Sequence, residues 1–131
     1  MPAMAKPEFQ CDVRVQYMPE QSQPPGGPYA FAYTVTIRNT GDITGQLVAR
    51  HWVITDADGN GEDVRGLAVV GHQPLLTPCE QFEYTSCTRI APPHGQLRAT
   101  YFCMTGDAHP FEAQVAAFEL VFPGLLRSSM S

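Results

Sequence analysis

Between Tyr29 and Ile37 every odd position carries a large side chain (Tyr29, Phe31, Tyr33, Val35, Ile37), and every even one is small or polar (Ala30, Ala32, Thr34, Thr36). A period of two sustained over this length fits a strand with one face buried and the other in water. Aromatic and β-branched residues suit that half-buried pleat. Asn39, Gly41 and Asp42 then supply turn chemistry. A central strand ending in a tight turn follows, and the rest of the chain is arranged around it.

The same signal recurs in weaker form. Residues 9–17 alternate at Val13, Val15 and Tyr17 and form a first strand. The next eleven residues, MPEQSQPPGGP, hold four prolines and two glycines and are a surface loop. Residues 44–55 form a strand that is apolar on both faces. Its large aromatic, Trp52, is expected in the core, which obliges Arg50 on the same face to find a partner or a route to water. Residues 56–63 read as a turn. Residues 64–77 hold a short apolar strand broken by Gly66, Gly71 and Pro74. Residues 80–90 and 96–104 are strands around an APPHG loop. In 111–122 the apolar parity switches from Phe111, Ala113 and Val115 to Phe118 and Leu120, which a bulge near Ala116–Ala117 reconciles. Composition alone would permit a helix there, but its Val and Phe content favours a strand. Seven or more short strands between Gly/Pro turns give an all-β protein. Its architecture is an antiparallel β-sandwich of immunoglobulin-like or fibronectin type III-like kind. The cysteines lack the immunoglobulin spacing, so the fibronectin-like variant is preferred. The domain is expected over residues 9–122, between a flexible leader (1–8) and a flexible tail (123–131).

The chain has 131 residues, 44% hydrophobic and 16% charged, enough for one domain with a core. Its net charge is −5, with eight scattered Lys and Arg. That balance disfavours nucleic acid and anionic membrane surfaces as partners. The sequence shows neither a transmembrane run nor an apolar signal segment, so a cytoplasmic location is expected. Cys11, Cys79, Cys87 and Cys103 form no CxxC pair and read as reduced, mostly packed thiols.

Three stretches invite a chemical reading. Asp56-Ala-Asp58-Gly-Asn60-Gly matches the opening of a calcium loop, whose alternate oxygens converge on a hard cation. The match then fails, because Leu67 stands where a bidentate Glu belongs. Asp56, Asp58 and Asn60 are the candidate metal ligands, with Glu62 or Asp63 assisting, against the plainer reading of a hairpin turn. Gly66, Gly71 and His72 are the candidate ligand-binding residues, in a stretch placed like a GxGxxG. A nucleotide or pyrophosphate reading needs a helix opening after the glycines, and an apolar strand follows instead. The four histidines (His51, His72, His94, His109) are unpaired at metal-ligand spacings. No nucleophile motif occurs, so an enzyme is not expected. Tyr17, Leu75, Leu76 and Phe102 are the candidates for an exposed apolar interface.

The strings FAYTVTIRN (31–39), HWVITDADGNGEDVRG (51–66), VVGHQPLL (69–76) and FEYTS (82–86) resemble the ApaG family, collinearly over about residues 9–122. The resemblance implies a fibronectin type III-like sandwich in a bacterial cytosolic protein. It also implies a family associated with cobalt and magnesium resistance or efflux. Similar domains are appended to F-box proteins and to a polymerase-delta-interacting protein. That usage implies a module that binds an unidentified protein partner and needs no cofactor, and it allows a homodimer. Family members often carry GxGxxG; here Ala68 replaces the middle glycine. Binding of a small ligand or divalent ion is the alternative.

Overall fold

The alternating stretch is a strand, β2 (Tyr29–Asn39), whose odd side chains are all buried. The computed structural model describes residues 6–24, 26–67, 69 and 71–124. β2 pairs antiparallel with β1 (Phe9–Tyr17) on one side and β6 (Gln81–Ile90) on the other. A second sheet runs β4 (Gly61–Leu67), β3 (Gly45–Asp56), β7 (His94–Thr105), β8 (Pro110–Val121), and the two-residue β5 (Leu75–Leu76) also pairs with β3. Three strands face five, with the first, second and sixth in one layer. That is a fibronectin type III-like antiparallel sandwich.

Rings from both layers meet at its centre. Trp52 is buried as expected, 5.0 Å from Tyr33 and edge-on to Tyr101 at 5.9 Å. The hydroxyls of Tyr84 and Tyr101 hydrogen-bond each other across the layers, so neither polar tip is stranded. A second group, Tyr17, Phe31, Tyr29 and Phe122, closes the end of the sandwich where β1 and β8 finish. Tyr17 therefore belongs to the packing and not to an exposed interface.

Two bulges reconcile side-chain parity with this core. In β8, Ala116 and Ala117 together oppose Arg98, which brings Val115 and Leu120 both inward, as the switch in parity requires. In β3 the register shifts between Leu47 and Ala49, so Leu47 points inward before the bulge and Trp52 and Ile54 after it. The mixed faces of that strand are two regular faces joined out of phase.

The expected 56–63 turn is shorter. It spans residues 57–60, and Gly61, Glu62 and Asp63 already belong to β4. β4 is an edge strand held by main-chain bonds to β3, and such bonds need no apolar side chains. Likewise β7 begins at His94, inside the expected loop. Of the expected leader, Lys6 and Glu8 lend their carbonyls to the β2–β3 turn, accepting from Asp42, Thr40 and Gly41. Residues 1–5 and 125–131 lie outside the described residues.

Asn39 ties the turn together. Its Nδ2 donates to the carbonyls of Ile43 (2.9 Å) and Leu76 (2.8 Å), and its Oδ1 accepts from Gly41 N (2.9 Å). The residue is buried, so each bond is one that water cannot replace. Asn39→Ala should lower the unfolding free energy by about 2–4 kcal/mol in denaturant titration. A loss below about 0.5 kcal/mol, the range of an ordinary surface change, would show that these bonds do not hold the turn.

Burial also pushes up the thiol of Cys103, to about 12, and the phenols of Tyr84 and Tyr101 well above their ordinary value. In the unfolded chain these groups lose protons from about pH 8.5 (thiol) and about pH 10 (phenol). Above those points the folded state holds more protons, so stability is complete below about pH 8.5 and falls as pH rises. Denaturant midpoints should hold from pH 7 to 8 and drop by pH 10.5, with a shallower drop between pH 10 and 10.5 in Tyr84→Phe. A midpoint that does not change between pH 7 and 10.5 would contradict this.

Candidate functional site

The hairpin between β3 and β4 places the calcium-like residues. Asp56 Oδ1 accepts the backbone N–H groups of Asp58 (2.9 Å) and Asn60 (3.0 Å), and Oδ2 faces Asn60 Nδ2 at 3.3 Å. Gly59 takes a φ of 87°, which glycine supplies without strain. The carboxylate thus organises its own turn. Among the described residues, no three His, Cys, Asp or Glu side chains cluster as ligands of one metal ion would.

Gly66, Gly71 and His72 are not brought into one phosphate cradle. Gly66 sits within β4 opposite Arg50, whose guanidinium passes over it 3.5 Å from where a Cβ would stand. Gly71, with φ 81°, lies in the turn closed by reciprocal backbone bonds between Val69 and His72. His72 lies 5.7 Å from the Phe82 ring. The stretch after Gly71 leads into β5, so no helix opens toward a pyrophosphate.

The other histidines find carboxylates that sequence spacing did not reveal. His51 faces Asp63 across the β3–β4 pair at 3.6 Å, His94 contacts Glu119, and His109 reaches Asp107 at 3.1 Å. The Thr105 hydroxyl, followed by His109, holds the Asp107 carboxyl below its usual range. Cys103 is buried and Cys11 half-buried, but Cys79 and Cys87 are exposed, so only half the thiols pack as expected. The Cys11 thiol is also pushed up, to about 12, by burial and then by Asp12, which disfavours a nucleophilic thiolate.

The outer faces of the two sheets differ in character. That of the three-stranded sheet is polar, with Thr34 bonded to Thr85, Thr36 to Glu83, and Arg14 paired with Glu83. That of the five-stranded sheet carries an apolar field. Leu67, Ala49 and Phe102 align in one register row and Leu75, Gln46 and Met104 in the next. Leu67 is 74% exposed, Leu75 61%, Met104 41% and Phe102 40%. Leu75 and Phe102 are thus exposed as the interface reading required, whereas Leu76 is buried under β3. A hollow of about 350 Å³ runs between Phe102 and Leu67, with Arg65 and His51 at its rim. A second, of about 390 Å³, lies beside it where the small Ala116 and Ala117 side chains of the β8 bulge meet Arg98 and Gln114. Leu67 falls in the apolar strand expected over 64–77 and Met104 closes an alternating strand, so neither stands out in the sequence as an exposed apolar residue.

Residues 19–105 match the model of the ApaG domain family. The chain is 54% identical to Protein ApaG of Ralstonia nicotianae over 94% of its length and 99% of the relative's. It is 46% identical to Protein ApaG of Azotobacter vinelandii over the same shares. Its fold is similar to a crystal structure of an ApaA protein from Bordetella pertussis, with a TM-score of 0.87 and 47% identity. That match covers 89% of this chain and 95% of the other. By the domain match and by identity over nearly its whole length, this chain belongs to the ApaG family.

Proposed function

We propose that this protein is a non-catalytic binding module that engages a protein partner through the outer face of its five-stranded sheet. One observation carries the reading: Leu67, Leu75, Phe102 and Met104 stand exposed in two adjacent register rows. Scattered apolar residues on a surface need no explanation, but a contiguous field of large ones marks an interface. The residues sit on hydrogen-bonded strands, whose backbone is already ordered before docking.

The rim defines the partner's chemistry. Arg65 and His51 border the apolar hollow, and Arg98 borders its neighbour. Two of the chain's eight Lys and Arg therefore stand on this face of an acidic protein. A partner segment with large apolar anchors beside carboxylates would bury the first against Phe102 and Leu67 and meet the second with arginine. Any part in cobalt or magnesium resistance is then exerted through that partner.

Displayed peptide libraries panned on the immobilised protein test this. Enriched peptides should pair an aromatic or long aliphatic residue with nearby Asp or Glu. Binding should fall at least about tenfold in Phe102→Ser, the loss of one buried anchor. It should fall also in Arg65→Glu and hold in Thr34→Arg on the opposite sheet. Peptides that bind Phe102→Ser as well as the parent would contradict the proposal, as would a failure to enrich any sequence.

A further inference from the structure

The inward positions of β6 read Phe82, Tyr84, Ser86, Thr88, Ile90. Two polar residues interrupt a face that is otherwise core. The facing strands do the same, with Arg50 inward on β3 and Glu62 inward on β4. These interruptions coincide. They line one cleft of about 350 Å³ where the sandwich stays open between the edges of β4 and β6. Its floor is the ring layer of Tyr33, Trp52 and Tyr84.

We propose that this cleft is a binding site for a small amphoteric molecule, with a carboxylate or similar oxyanion at the Arg50 end and an ammonium group at the Glu62 end. Arg50 stands opposite Gly66 and Glu62 opposite Ile54, two same-face steps apart along β3. That is about 13 Å of strand, shortened by the reach of both side chains. Between the two charges Trp52 lines the floor, with Ser86 and Thr88 on the facing strand. A pocket of this size with an apolar floor and a few converging polar groups is the usual form of a small-molecule site. Gly66 lies beneath the Arg50 guanidinium, which packs 3.5 Å from where a Cβ would stand, an ordinary contact distance. Arg50 Nη1 also donates to the Leu67 carbonyl at 3.4 Å, which fixes the approach of the guanidinium. Glu62 excludes polyanions. A nucleoside triphosphate would gain from Arg50 and lose against Glu62, whereas an amphoteric ligand gains at both ends.

The chain's one tryptophan lies in the cleft floor and reports on occupancy. Its fluorescence is recorded during titration with ε-aminocaproate, caproate and hexylamine, which carry both charges, the anion alone and the cation alone. The proposal expects a saturable change with ε-aminocaproate, at least about tenfold tighter than with either single-charge probe. That is the worth of one charge-assisted contact. Arg50→Gln should bring ε-aminocaproate down to the affinity of hexylamine, and Glu62→Gln to that of caproate. Thermal melts establish that each variant is folded. If Arg50→Gln does not fold, Glu62→Gln and the comparison of the three probes with the parent protein decide the question. A flat response to all three probes would overturn the proposal. Equal affinities for ε-aminocaproate and caproate would overturn it too.

Discussion

The aromatic layer shared by the two sheets is the constraint on which the rest of this structure depends. Tyr33 comes from one sheet, Trp52 and Tyr101 from the other, and their rings lie in contact. Large rings fill the interior only if the strands hold their register, because a slip of one residue would turn each ring to water. The hydroxyl bond between Tyr84 and Tyr101 adds a directional requirement that simple apolar packing lacks. The two bulges follow from that requirement. Each shifts the phase of a strand midway, so that apolar residues out of register in sequence reach the same core.

Much of this was legible in the sequence, for identifiable reasons. Apart from Ala30, β2 is fully buried on one face only, so its alternation is unbroken. The β8 bulge was legible because the apolar parity changes across two alanines. The β3 bulge was not, because Val48, Ala49 and Val53 make its outer face nearly as apolar as its inner one. β4 was hidden for the opposite reason. Glycine, glutamate and aspartate at its first three positions read as a turn, and main-chain bonding to β3 holds it without an apolar face.

The candidate sites divide in the same way. Asp56, Asp58 and Asn60 were found because hairpin turns and calcium loops draw on the same oxygen-rich residues, and here the Asp56 oxygens bond the turn itself. The glycines were found by spacing, but spacing does not say which strand a glycine lies in. Gly66 lies within β4, opposite Arg50, whose guanidinium packs over it. Ser86 and Thr88 take inward positions of β6 only once its alternation is extended past Tyr84. Their meaning depended on which strand edge faces them, and pairing order across sheets is set by tertiary packing alone.

A sandwich with one polar and one apolar outer face is suited to presenting a surface. The core fixes the backbone, and the apolar field on the five-stranded sheet is the surface proposed to meet a partner. Hydroxyl-radical footprinting in cleared extract of the producing cells, compared with the purified protein, tests this most directly. Binding through this face predicts protection of Leu67, Phe102 and Met104 in the extract, with the exposed residues of β1 and β6 unchanged. Equal oxidation of Met104 and Phe102 in both samples would contradict it.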